Sequence, residues 1–508
     1  METFDNYVLL VIVTLPILAA GLLVFVPFYR PSVVKRIATA VALGEMVLSF
    51  YVFTGYNHDV GGFQFFQQWH WLEIPGPWFF GERAITLALG VDGISALMVL
   101  LTGLVMFTGI LVSWTIKGRS KDFFILYLLL LAGVFGVFVS IDLFFMFFFY
   151  GLTVLPMYPL IGVWGSSSTF KDFIRTKEYG AMKLTLFLVA GSVLIWITLI
   201  ATFVEGGIGT FGLMELQNVQ FSPTFQNIFF PFLVVGFGVL AGMWPFHTWS
   251  PDGHVASPSA VSMVHAGVVM KLGAYGILRV GMTLFPDGAQ VWMPVLVSIG
   301  AVNVIYGAVA AMGQRDLKYV ISYSGVSHMG YVLMGLGTLH HAGISGAVLQ
   351  MFSHGVMTAL FFLVVGAIYD RARTRDIDVL EGLVKRTGII AWLFLVAGLA
   401  SLGLPGLSGF VAELLVFIGL FQTYPILGAF GVIGVAVTAV YTLRLIARVF
   451  FGQLNEKWGD QVGMSRVEGA SALILVGFIV LMGVFPFPFI QSVDKAVGDL
   501  IIRIVGAA

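Results

Sequence analysis

The sequence predicts an all-α membrane protein of about fourteen transmembrane helices, built as two inverted five-helix repeats with broken helices 7 and 12. Three observations carry that expectation: very little charge, a succession of long apolar runs, and basic residues confined to alternate loops. Of the 508 residues, 59% are hydrophobic and 10% are charged, whereas a soluble domain is roughly 25% charged. So little charge cannot clothe a surface of this size with polar groups, and lipid must supply much of the solvent. The 61 Gly fit the same reading, since glycine is commoner in membrane helices than in soluble ones.

A spanning helix needs roughly 20 mostly apolar residues. Counting on that basis places spans at about 7–27, 34–56, 92–115, 122–140, 142–164, 178–204, 227–247, 257–284, 291–312, 316–338, 341–368, 388–422, 426–450 and 467–490. Within lipid the backbone must satisfy its own hydrogen bonds, which leaves helices as the form for runs this apolar. The first run follows Glu2 and Asp5 rather than a basic segment and is too long for a cleaved signal peptide, so it reads as a retained span. The loops on one side hold Arg30, Lys35, Arg36, Lys117, Arg119, Lys121, Lys171, Arg175, Lys177, Arg315, Lys318, Arg371, Arg373, Arg375, Lys385, Arg386, Lys457 and Arg466, which is 18 of the 26 Lys and Arg. The other side, tails included, holds Arg83, Lys495 and Arg503. Because basic loops stay cytoplasmic, both termini are expected on the non-cytoplasmic side. The 57–91 segment, with its aromatic run FQFFQQWHWLEI, suits an interfacial hairpin, and 205–226 reads as a simple connector.

Several function classes are excluded at this stage. Zero net charge argues against a basic patch of any size, no nucleic-acid partner is expected, and the absence of cysteine removes cysteine-ligated iron–sulfur clusters, thiol catalysis and disulfides from this chain. No GxGxxG opens a helix after a strand, so no dinucleotide site is expected, and the histidines follow no metal-ligand spacing.

Ionisable groups inside spans cost about 2.5–3.5 kcal/mol each on insertion scales. Here they are Glu45, Lys183, His265, Lys271, Arg279, His328, His354 and Glu413, with Arg444 and Arg448 in the thirteenth span. Lys271, in VSMVHAGVVMKLGAYGILRV, lies too deep to snorkel. It must find a partner, reach water or give up its proton, so it is either a relay or a permanently neutralised amine. Lys183 enters its span by only about one and a half turns and suits a relay or a plain anchor. His328 and His354 are imidazoles that titrate near neutral pH; each could pass protons or simply be hydrogen-bonded in the core. Glu413 follows the break LASLGLPGLSGF, where Pro405 removes a backbone donor and Gly403, Gly406 and Gly409 permit unwinding. A carboxylate there suits a proton entry or exit point, or an internal ion pair. Glu45 has no evident role.

A second break, around Pro245 in WPFHTWSPDGHVASPSAVS, matches the one at Pro405. Two broken helices at corresponding positions mark repeats of five spans each, at 122–284 and 291–450. An odd number of spans forces the repeats to be inverted, a transporter signature. An N-terminal three-helix segment, 1–121, with its hairpin loop precedes them, and a C-terminal helix and tail, 451–508, follows.

The segments WPFHTWSPDGHVASPSAVSMVHAGVVMKLGAYGILR, RDLKYVISYSGVSHMGYV, LQMFSHGVMTALFFLV and LASLGLPGLSGFVAE resemble the antiporter-like subunits of respiratory complex I, most closely the M type (mitochondrial subunit 4), over nearly the whole chain. The resemblance implies fourteen helices, inverted repeats over helices 4–8 and 9–13, and a chain of charged groups across the membrane midplane. It makes Lys183 the sixth-helix lysine, Lys271 the central eighth-helix lysine, His328 and His354 the histidines of helices 10 and 11, and Glu413 the twelfth-helix glutamate. His265 is different: M-type chains usually carry an apolar residue there, L-type chains a histidine. Arg279 matches the motif and can anchor the helix end.

Two departures from the family stand out. A helix 5 glutamate five residues before the proline of a PMY motif is replaced by Gly151, and a helix 7 lysine five residues before Pro245 by Leu240. In the family these two form an ion pair proposed to drive proton movement. Loss of one alone would strand a buried charge at a cost of several kcal/mol; loss of both is electrostatically consistent and leaves the N-terminal half-channel without its switch.

The resemblance therefore implies a proton-translocating membrane-arm subunit of a complex I-like NADH:quinone oxidoreductase, with altered or absent pumping. The implied partners are L-, N- and K-type membrane subunits and the bilayer of a bacterial inner membrane. NAD, FMN, iron–sulfur clusters and quinone are expected on partner subunits. The rival readings are a subunit of a multisubunit cation/proton antiporter, a non-pumping structural subunit, and a membrane arm attached to a different electron-input or inorganic-carbon uptake module.

Overall fold

The computed structural model describes residues 5–73, 84–169, 174–453 and 463–506. Glu2, Arg83, Lys171 and Lys457, used above for the N-terminal and topological readings, lie outside them. Among the described residues, twelve helices are long and apolar enough to cross a membrane. They begin with α1 (Val8–Phe25), α2 (Pro31–Gly55), α3 (Gly93–Val112, extended by one turn to Thr115) and α4 (Ser120–Val139). The fifth span is bent at Pro156 into α5 (Leu143–Val154) and α6 (Met157–Trp164), because proline cannot donate to the preceding turn. α7 (Lys177–Gly206) is followed by a one-turn helix, α8 (Leu213–Leu216), in the segment expected to be a plain connector. That segment instead pairs its backbone at Gly212 with Asp142.

The seventh span is broken as expected, into α9 (Pro223–Ala241) and α10 (Trp249–Ala256). α11 (Ser259–Met282), α12 (Pro286–Met312), α13 (Leu317–Gly337) and α14 (His341–Ala372) follow, of which α13 is not apolar enough to count among the twelve. The twelfth span is broken into α15 (Gly388–Ser401) and α16 (Ser408–Thr423), each shorter than a full crossing. α17 (Pro425–Phe450) and α18 (Arg466–Val484) complete the bundle.

Two features add to the linear reading. The hairpin expected over 57–91 is built of two antiparallel strands, β1 (Gln64–Glu73) and β2 (Ala84–Val91), with register irregularities at Gln64–Gln67 and His70–Leu72. The expected C-terminal tail is helical: α19 (Phe487–Val505) buries Phe489, Val493, Val497, Leu500 and Ile504 along one face, the stripe of an amphipathic helix. Its outer residues fasten the rim at the hairpin end. Lys495 Nζ donates to Asp59 O and Val60 O at 2.7 Å, Arg503 to Gln217 Oε1 at 3.1 Å, and Gln290 Nε2 donates to Ile504 O.

α11 and α14 are wholly enclosed along their apolar windows and α3 nearly so, whereas α2, α7, α17 and α18 bury about a third of theirs. Charged and imidazole side chains on α11 and α14 are thereby removed from lipid and face other helices. The α9–α10 break needs its own brace. Gly242 takes φ +75°, a conformation that glycine alone adopts without strain. The side chain of Asn303 on α12 accepts from Trp244 N at 2.6 Å and donates to Gly242 O at 3.0 Å and Val326 O at 3.3 Å. Unwound backbone at membrane depth is tolerable only when such partners replace the lost helical bonds.

Asn303→Leu is therefore expected to leave a buried donor and acceptor unpaired, costing about 3 kcal/mol. Thermal unfolding of the detergent-solubilised protein should show a clearly lower midpoint; an unchanged midpoint would mean the turn holds without this side chain.

Candidate functional site

The centre of the site is set by local backbone geometry on α11. Residues His265–Val269 form a π-helical turn, and a second spans Ile277–Met282; such widened turns are frequent at functional positions. Lys271 Nζ folds back onto Ala266 O at 2.5 Å and contacts His354 Nδ1 at 2.7 Å. Lys271 and His354 are buried, and no carboxylate pairs with the amine among the described residues. A buried amine held by a carbonyl and an imidazole can give its proton to the ring or take one from it.

From His354 the polar file continues through α13, α14 and α16. The His354 and His328 rings lie 5.3 Å apart between centroids. His328 Nδ1 stands 3.4 Å from Glu413 Oε1, and Gln350 Nε2 lies 3.4 Å from the same imidazole nitrogen and donates to Glu413 Oε1 at 3.2 Å. Four of the five residues expected on a proton path, Lys271, His354, His328 and Glu413, thus come together as one buried file. Gln350 was not singled out in advance, although it precedes His354 by four residues and so shares its helix face. The α15–α16 break adjoins the file: Gly403 and Gly406 take positive φ around Pro405, and Ser408 Oγ meets Ser353 Oγ of α14 at 2.8 Å.

Lys183 does not join this file. It bonds Asp252 Oδ2 on α10 at 2.8 Å. Asp252 also accepts from Arg175 and, at 2.9 Å, from Tyr319 OH. This cluster sits at the end of the bundle that carries the basic loops. Asp252 was overlooked because its partners come from three other segments of the chain. At the opposite end Arg279 pairs with Asp92, beside a cavity of about 310 Å³ also lined by Gln217, Asp499 and Arg503. Arg448 reaches the exposed Asp378 at 3.4 Å.

His265, offered above as a possible path residue, packs against His254 of α10 with Nδ1 atoms 3.2 Å apart. Glu45 is fully buried on α2, and neither carboxyl oxygen has a hydrogen-bond partner among the described residues. A side chain added at Gly151 would meet no atom within 4 Å among the described residues, and Leu240 is completely buried.

Residues 140–442 match the family described as "NADH:quinone oxidoreductase/Mrp antiporter, TM". The chain belongs to that family. The NAD(P)H-quinone oxidoreductase chain 4 of Gloeobacter violaceus is 34% identical over 489 residues, covering 94% of this chain and 89% of its own. The NADH-quinone oxidoreductase subunit M of Rhodobacter capsulatus is 35% identical over 509 residues, covering 97% and 96%. Among solved structures, a chain of respiratory complex I from Thermus thermophilus with bound NADH aligns at a TM-score of 0.86 and 26% identity, over 98% of this chain and 99% of that one. A chain of the Mrp complex from Dietzia sp. DQ12-45-1b aligns at 0.85 and 22% identity, over 99% and 100%, a likeness of fold. This member of the antiporter-like family is thus a multi-pass membrane protein with bacterial relatives, and the mostly helical, many-span fold expected from its motifs is the fold it has.

Within that fold, Asp252→Asn should leave Lys183 and Arg175 without their shared carboxylate. Because both cations are partly exposed, 19% and 39%, the loss should lie near the low end of the range for broken buried pairs, about 3 kcal/mol. Loss of thermal stability without loss of the Lys271–His354 contact, seen by cryo-electron microscopy, is the expected result; a stability equal to wild type would show that the cluster is not structural.

Proposed function

We propose that this chain is the M-type membrane-arm subunit of a complex I-like NADH:quinone oxidoreductase and carries protons along Lys271, His354, His328 and Glu413. The observation that carries the reading is the buried file itself: an amine, two imidazoles and a carboxylate, bridged by Gln350, run from α11 to α16 with no apolar side chain needed between neighbours. His328 Nε2 and His354 Nε2 have no hydrogen-bond partner among the described residues, although both are buried. Buried ring nitrogens without a partner are where ordered water belongs, and a water there would close the gap between the rings.

The relatives named NADH-quinone oxidoreductase match over nearly their whole length, which favours an electron-driven complex over a free-standing antiporter. In this reading the redox chemistry lies on partner subunits that hold NAD, FMN, iron–sulfur clusters and quinone. L-, N- and K-type chains flank this one in a bacterial inner membrane, with both termini on the non-cytoplasmic side. The repeats at 122–284 and 291–450 form the two half-channels. Gly151 and Leu240 place no titratable pair at those two positions, so pumping here differs from that of family members that retain the pair.

Lys271→Ala in the assembled complex should lower the number of protons moved per electron in inverted membrane vesicles while NADH oxidation continues. An unchanged stoichiometry would remove Lys271 from the path and the proposed function with it. Sodium-dependent growth rescue in the absence of any electron donor would instead favour the antiporter.

A further inference from the structure

We propose that His254 and His265 form a proton-passing dyad that feeds Lys271 from the basic-loop end of the bundle, in place of the Glu/Lys pair missing at Gly151 and Leu240. The inference rests on the function proposed above and adds two residues and a direction to it.

The geometry carries the argument. His254 lies on α10 beyond the helix break and His265 in the π turn of α11, and their Nδ1 atoms approach to 3.2 Å with ring centroids 4.6 Å apart. Both side chains are buried, 1% and 0% exposed. A neutral imidazole carries one proton, on either ring nitrogen. Two Nδ1 atoms at hydrogen-bond distance require one ring to be protonated at Nδ1 and the other to accept there. The first ring then presents a bare Nε2 lone pair, and the second presents an Nε2–H. Neither Nε2 has a hydrogen-bond partner among the described residues. The dyad is thus an acceptor at one end and a donor at the other.

A proton arriving at the bare Nε2 makes that ring cationic. Its Nδ1 proton crosses to the second ring, and the second ring releases its Nε2 proton. One proton enters, one leaves, and no electrons move. Afterwards the two tautomers are exchanged, so the rings must reorient or reprotonate before the next transfer.

Each histidine has a lysine held on the backbone a few residues away. Towards the basic loops, Lys318 Nζ donates to Ser257 O at 2.7 Å, three residues along the chain from His254, and Ser262 Oγ ties back to His254 O at 2.8 Å. Towards the midplane, the residue after His265 is Ala266, whose carbonyl holds Lys271 Nζ. Trp249 packs 5.2 Å from the His265 ring and Phe362 5.6 Å from the His254 ring. These aromatic walls confine a proton to the open nitrogens.

The test uses the full chain in its native complex, in inverted vesicles driven by NADH, with proton uptake and electron transfer read on the same sample. His265→Leu and His254→Gln should each lower protons per electron as far as Lys271→Ala does, with electron transfer unchanged; loss of one acid–base group typically slows a proton transfer by about a hundredfold or more. If Lys271→Ala lowers the stoichiometry and both histidine variants leave it at the wild-type value, the dyad is overturned and the proposed function stands. If Lys271→Ala also leaves it unchanged, the proposed function itself fails. Should the variants not assemble, a high-resolution cryo-electron microscopy map of the wild-type complex decides. Ordered water within hydrogen-bond distance of both Nε2 atoms supports the dyad, and dry packing around them overturns it.

Discussion

The rest of this structure depends on keeping an amine in the middle of the bundle without a carboxylate beside it. Desolvating a lysine is costly, and in hydrocarbon there is no alternative partner. The protein meets the cost with backbone rather than charge. The π turn at His265–Val269 lets Lys271 reach the carbonyl of Ala266, and α14 brings the His354 ring to the amine's other side. Because α11 and α14 are enclosed by the other helices, those polar contacts never face lipid. Once the amine is held by neutral groups, its proton is not locked into an ion pair and can be exchanged.

The sequence makes the architecture legible because membrane helices announce themselves. A run of about twenty apolar residues has few other fates in water or lipid, and Gly and Pro at 242–245 and 403–406 mark where the backbone must leave the helix. Lys271 was visible for the same reason: an ammonium among apolar neighbours is out of place. The partners of these groups were not visible. Lys183 could anchor at an interface or bind an acid anywhere, and only the approach of α10 to α7 selects Asp252. His254 and His265 are separated by the turn between α10 and α11, so no helical spacing relates them. The π turns leave no trace in residue type, because ordinary helix formers occupy them. α19 was readable in principle, since its apolar residues recur at helical spacing, but its mixed composition hides it among tail residues.

Gly151 and Leu240 leave their positions on α5 and α9 without a titratable side chain. Leu240 is sealed in the core of α9, and no cation there would find an acid on α5. The polar groups on this side lie on α10, where Asp252 organises a rim cluster and His254 faces α11.

The bonds from α19 have a mechanical side. One amphipathic segment touches the loop before β1, the residue after α8 and the start of α12. Those three places belong to otherwise separate parts of the chain. The segment works as a strap: a displacement at any one of the three places loads the other two through the same helix.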